Sequence, residues 1–242
     1  MPLPSDVLAR HLKEFTARAG HDLCGPLNQA SSLAALFVQR YRGQIDCDAD
    51  AILCNLSTSA HRMNELVDGL RKYGEAASPL PPLAPADLNQ ILLTALRPLR
   101  VSIEKTGAVI NTLSPLPMLE VAADRIRMLF EAVISNAIQY SKPETAPRIA
   151  IEAYREGDCW CFSVCDEGVG IDPEHIESVF LPFRRLHGRA WPGSGLGLST
   201  AQLVVESHDG KMHIESSKDV GTKVAFTLPF RSDPQGSYDP QP

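Results

Sequence analysis

Apolar positions recur every three or four residues from Leu8 onward: Leu12, Phe15, Ala19, Leu23, Leu27, Ala30, Ala34 and Phe37. That spacing puts them on one face of a helix, and Ser5-Asp6 ahead of them suits an N-cap. Arg42-Gly43-Gln44 breaks the pattern, and a second stripe follows through Ile52, Leu56, Ser59, Met63, Leu66, Val67, Leu70 and Tyr73. Two amphipathic helices joined by a short loop predict an antiparallel hairpin over residues 1–73. A lone hairpin cannot bury both apolar faces, so a second copy is expected to complete a dimeric four-helix bundle. Residues 74–86 hold Pro79, Pro81, Pro82 and Pro85, which predicts a semi-stiff linker.

Beyond the linker the periodicity changes. Helical spacing predicts helices over 88–106, 122–140 and 196–208. Short β-branched and aromatic runs predict strands at 108–113, 148–155, 159–165, 211–216 and 223–228, with hairpin turns at Glu156-Gly157-Asp158 and Asp219-Val220-Gly221. Mostly antiparallel strands with helices on one face make an α+β sandwich over 87–230. The tail at 231–242, rich in Ser, Asp, Pro and Gly, is expected to be disordered.

The 242 residues suit one to two domains, and no apolar run nears the roughly 18 residues of a membrane span. Residues 1–10 lack the layout of a secretory signal, so a membrane sensor would lie on another chain or outside this sequence. A net charge of −6 argues against a nucleic-acid binder. Cys159, Cys161 and Cys165 fall on alternate positions of one strand and no C-x-x-C pair is present. Reduced, packed thiols in a cytoplasmic protein are therefore expected.

Three segments carry candidate chemistry in the second domain. Asp166-Glu167-Gly168-Val169-Gly170 ends a strand, where a carboxylate can accept from an exocyclic amine and glycines let a flat ring approach the backbone. Gly193-Ser194-Gly195-Leu196-Gly197-Leu198 opens a helix, whose unpaired N–H groups suit phosphates. It matches neither a dinucleotide fingerprint nor a P-loop. Ser135-Asn136-Ala137-Ile138-Gln139-Tyr140-Ser141 closes an apolar helix, and Asn136 offers a neutral oxygen to Mg²⁺. Taken singly, each also reads as a turn, a flexible connection or a polar helix end. In the first domain, His21-Asp22-Leu23-Cys24-Gly25-Pro26-Leu27 places a histidine just before a helix-kinking proline.

Together and in this order, the segments resemble the N, G1, F (Phe180-x-x-Phe183) and G2 boxes of the histidine-kinase ATP-binding domain. That domain has the Bergerat fold shared with gyrase-type ATPases. Val220-Gly221-Thr222 resembles the family's terminal glycine motif, and His21 through Leu27 resembles its H box. The whole is most similar to the kinase modules of phytochrome-type sensors. The resemblance implies a sensor histidine kinase core: ATP-dependent autophosphorylation on His21, oriented by Asp22, then transfer to an Asp of a response regulator receiver domain. It implies ATP and Mg²⁺ as cofactors, a homodimer, and an upstream sensor domain or protein. The implied nucleotide contacts are Asn136, Gln139, Tyr140, Asp166, Gly168, Gly170, Ile171, Arg185, Gly193, Ser194, Gly195, Leu196, Gly197, Leu198 and Thr222, with Asn136 on the metal. Residues 184–195 would form a mobile lid over the phosphates.

Two departures lower the expected affinity. Ala132 replaces the first Asn of the N box, and Gln139 replaces the usual basic residue. Weakened, not abolished, binding of ATP or Mg²⁺ is expected. Gly25 stands where many relatives carry Thr or Asn, so phosphatase activity should be weak. The alternatives are a catalytically impaired phosphotransfer or scaffold dimer, and a serine kinase of the anti-sigma-factor type, which lacks an H-box hairpin.

Overall fold

A computed structural model describes residues 28–41, 47–186 and 193–230. The chain divides into two compact units, the described residues of 1–79 with 178–200, and those of 80–177 with 201–230. The expectations for His21, Asp22, the loop at 42–46, His187 to Pro192 and the tail lie outside the described residues.

In the first unit, helices α1 (28–41) and α2 (Cys47–Ala76) form the described part of the predicted hairpin. Asn64 Nδ2 donates to Ser31 Oγ at 2.7 Å, tying one helix to the other. Ala34 and Val67 of the two stripes are buried, as is Ala60, but other described members are not. Leu33, Leu36, Ile52 and Leu56 are each more than half exposed. α2 runs three residues past the expected end of the hairpin at 73.

The second unit is built on a five-stranded sheet of order β2-β4-β5-β7-β6, with β2 (Val109–Thr112), β4 (Arg148–Glu156), β5 (Cys159–Asp166), β6 (Met212–Ser217) and β7 (Gly221–Pro229). β2 pairs with β4 in parallel and the other ladders are antiparallel. The stretch expected to be a bare linker contributes β1 (Ala84–Asp87), paired with β3 (Met118–Val121). Pro85 is tolerated because a two-stranded ribbon leaves one edge of β1 unpaired. The helix predicted over 88–106 is two, α3 (Leu88–Leu96) and α4 (Arg100–Thr106), separated at Arg97-Pro98-Leu99. Proline has no backbone donor to return to Thr94 and its ring crowds that carbonyl. Two short 3₁₀ turns, Pro173–His175 and Glu177–Phe180, precede the glycine-rich stretch, and α6 (Gly197–Ser207) follows it.

The core lies between the sheet and α5 (Ala123–Gln139). Ile126, Leu129, Phe130, Val133, Ile134, Ala137 and Ile138 recur at helical spacing and are buried. Phe162 on β5 sits directly opposite Phe226 on β7, their rings stacked at 5.0 Å, and Phe130 meets Phe226 edge-on at 6.2 Å. Each fully buried side chain of this size contributes about 1.5–3 kcal/mol by transfer from water. Because Phe162 and Val164 point into this core, Cys159, Cys161 and Cys165 fall on the opposite face. They are free thiols, half exposed rather than packed inside as expected. His208, also buried, accepts the N–H of Ala122 on Nε2 at 3.1 Å and is 2.8 Å from Val204 O through Nδ1. That fixes a neutral tautomer, Nδ1 protonated, and satisfies the N–H of Ala122 at the start of α5.

Candidate nucleotide-binding site

Asp166 is the last residue of β5, where the register sets it opposite Thr222 of β7. Its Oδ1 accepts two backbone bonds, from Gly168 N at 2.8 Å and Thr222 N at 3.2 Å. Oδ2 has no partner among the described residues. Burial pushes the carboxyl above the usual carboxylate range, and the two backbone bonds pull it back only in part. One oxygen is locked in place while the other stays available to accept a hydrogen bond.

The loop after Asp166 is pinned from two sides. Tyr140 O, at the end of α5, accepts from Val169 N at 3.0 Å. Gly168 passes so close to that carbonyl that a side chain there would collide with it. Gly170 has φ +66°, and an added Cβ would strike the backbone carbonyl of Ser217. Ser216 completes the clamp: its Oγ accepts from Ile171 N at 2.8 Å, donates to Gly221 O at 2.8 Å and lies 2.9 Å from Thr222 Oγ1. Asp219 N adds a bond to Val169 O at 2.8 Å. The predicted Asp166, Gly168, Ile171 and Thr222 are thus one hydrogen-bonded cluster, with Gly170 packed against Ser217 beside it. Ser216 was missed, because a strand serine 45 residues from its partner gives no local signal.

Beside this cluster is a cleft of about 360 Å³, within the range of small-molecule sites. Asp166, Glu167 and Gly168 line it on one side, Ala137, Ser141 and Lys142 on another. Lys142 and Arg148 bring positive charge that the sequence reading did not include. Asn136, Gln139 and Tyr140 sit on the last turn of α5 and the residue after it but do not line the cleft. The Asn136 side chain is half-buried, without a hydrogen bond among the described residues. One neutral oxygen suits Mg²⁺, which keeps most of its waters and phosphates. No group of three or more His, Cys, Asp or Glu among the described residues could cage a metal.

The glycine-rich loop belongs to the first unit. Gly195 has φ +73°, and a side chain there would come 2.9 Å from the backbone of Phe183 and 3.0 Å from Arg184 O and Arg185 Cγ. Leu196 is buried, and its carbonyl accepts from Ser199 Oγ and Thr200 Oγ1 at 3.0 and 2.7 Å. Ser194 Oγ accepts from Leu196 N at 3.3 Å. Gly197 and Leu198 begin α6, whose first N–H groups lack partners further back in the helix. Gly193 N donates to Glu65 Oε2 on α2 at 3.0 Å.

Residues 121–232 match the family described as histidine kinase-, DNA gyrase B-, and HSP90-like ATPase. Cyanobacterial phytochrome A of Nostoc sp. is 36% identical over 219 residues, covering 90% of this chain and 28% of that protein. Phytochrome-like protein Cph1 of Synechocystis sp. is 34% identical over 222 residues, covering 90% and 29%. The chain therefore spans less than a third of either relative. Among solved structures, full-length ShkA in complex with AMPPNP superposes with a TM-score of 0.67 at 22% identity, over 91% of this chain and 46% of that one, a likeness of fold. No helix among the described residues is long and apolar enough to cross a membrane. Residues 121–232 are an ATPase domain of the histidine kinase-, DNA gyrase B- and HSP90-like family, and the chain is homologous to phytochrome-type and other sensor histidine kinases.

Proposed function

We propose that the chain is the catalytic core of a sensor histidine kinase, which binds ATP with Mg²⁺, phosphorylates its own His21 and passes the phosphoryl group to an Asp of a response regulator. The observation that carries the reading is Asp166, a half-buried carboxylate whose Oδ1 is held by two backbone donors while Oδ2 has no partner among the described residues. Such an oxygen accepts from the exocyclic amine of adenine and has nothing to offer a keto group. Gly168 and Gly170 keep side chains away from the ring face. Thr222, Ile171 and Tyr140 shape the loop through their backbones, and the N–H groups of Gly193 to Leu198 receive phosphate oxygens. In this reading Gln139 offers a neutral contact and Arg185 a positive one.

Mg²⁺, held by Asn136 and the phosphates, would neutralise charge on the triphosphate. The lone pair of neutral His21 forms the nitrogen–phosphorus bond as the bond to the ADP oxygen breaks. Asp22 bonds the other ring nitrogen, fixes the tautomer and takes the proton released. In the second step a regulator carboxylate replaces the imidazole on phosphorus. The exposed apolar stripe on α1 and α2 supports a homodimer, closing a four-helix bundle, as the place where this occurs. The domain limits of 1–73 and 87–230, weak phosphatase activity, a cytoplasmic setting and an upstream sensor belong to the same reading.

Incubation of the full chain with radiolabelled ATP and Mg²⁺ tests it. The expected product is acid-labile label on the protein, absent in His21→Gln and reduced in Asp166→Asn. Acid-stable label would indicate a serine kinase, and no label a scaffold.

A further inference from the structure

On α2 the Glu65 carboxylate occupies the N–H of Gly193, the first glycine of the loop, at 3.0 Å. Backbone N–H groups of such loops are the groups that receive phosphate oxygens, and a carboxylate is the protein's own oxyanion. One turn further along the same helix, Gly69 receives the next part of the loop. A side chain at 69 would collide with Ser194 Oγ and lie 2.8 Å from its Cβ and 3.3 Å from Leu196 Cδ1. Residues four apart share a helix face, so Glu65 and Gly69 together contour α2 to hold residues 193–196. The Glu65 side chain is 27% exposed, and its other oxygen, Oε1, is 3.6 Å from His61 Nε2. Neither Glu65 nor Gly69 belongs to any nucleotide-binding segment of the sequence.

We infer that Glu65 is an internal competitor of the nucleotide's phosphates for the Gly193 N–H. The inference rests on the nucleotide reading above and adds regulation to it. One N–H cannot serve two oxyanions, and a carboxylate beside a triphosphate is repelled, so phosphate binding must displace Glu65. Linkage is reciprocal: whatever holds the loop on α2 weakens nucleotide binding, and nucleotide binding releases the loop from α2. A change in α2 is thereby converted into a change in ATP affinity without any contact to the base.

Isothermal titration of the full chain with Mg²⁺-ATP and with adenosine tests this in wild type, Glu65→Gln, Gly69→Ala and Asp166→Asn. Glu65→Gln keeps the shape and an acceptor but removes the charge. Gly69→Ala suits a helix and forces only the loop away. Both are expected to bind ATP about tenfold more tightly than wild type, equivalent to about 1.4 kcal/mol, with adenosine affinity unchanged. If neither binds ATP more tightly, or if adenosine gains as much as ATP, the competition does not exist. Wild-type ATP binding that is weakened at least tenfold by Asp166→Asn keeps the nucleotide reading intact in that case. No Asp166-dependent binding in wild type would overturn both.

Discussion

Asp166 carries opposite demands from stability and from the proposed nucleotide contact. Its carboxyl titrates above the ordinary range because burial costs the charged form more than the two backbone bonds return. An acid with a raised native value holds its proton longer in the folded than in the unfolded state. Stability therefore falls as pH rises from the unfolded value through the folded one, and the cost is fully present at neutral pH. Asp166→Asn should leave the melting temperature of the nucleotide-free chain unchanged or higher. It replaces the free acceptor with a donor, so ATP affinity should drop by about 10- to 150-fold, the loss of one charge-assisted hydrogen bond of about 1.5–3 kcal/mol. Calorimetry on the same two proteins reads both effects. ATP binding to the wild type should weaken on acidification at a less acidic pH than an ordinary aspartate would give. Asp166 and its glycines were legible because a carboxylate and two nearby glycines are unusual together at a strand end. Ser216, Lys142 and Glu65 were not, since each meets the site or its loop through contacts made by folding and carries an ordinary residue type.

Among the elements, α5 depends on a partner far along the chain. The buried His208 ring satisfies Ala122 N and Val204 O together. His208→Ala leaves the buried Ala122 N–H unpaired beside a cavity, while Val204 O keeps the Ser207 hydroxyl, and should cost about 2–4 kcal/mol in denaturant unfolding. Phe226→Ala removes the ring that stacks on Phe162 and meets Phe130, with an expected loss of about 3–5 kcal/mol by the same measurement. The long elements were readable because α5 shows helical spacing over 17 residues and β4 and β5 over nine and eight residues of strand pattern. β1 and β3 were not: four residues each, one of them Pro85, they are strands only because they pair with each other. The break at Pro98 was missed, because apolar spacing continues on both sides of it.

For the whole molecule, the decisive feature is the apolar surface that one hairpin cannot cover. Leu33 and Leu36 on α1 are each 60% exposed, with Ile52 66% and Leu56 54% on α2. Sedimentation equilibrium of the full chain should give twice the mass of 26.4 kDa, and Leu56→Lys should shift it toward the monomer. A monomeric wild type would remove the bundle from the proposed function.

The amino-acid order alone determined that a helical stretch precedes an α+β domain, and that a carboxylate, glycines and an asparagine stand at its element ends. Those follow from local periodicity and residue type, which act within a turn or a strand. Only the tertiary structure decided which groups meet: Thr222 and Gly168 on one oxygen of Asp166, Ser216 under Ile171, His208 at the start of α5, and Glu65 on Gly193. Such contacts link residues as much as 128 positions apart, and chain packing, not local preference, brings their polar atoms within bonding distance.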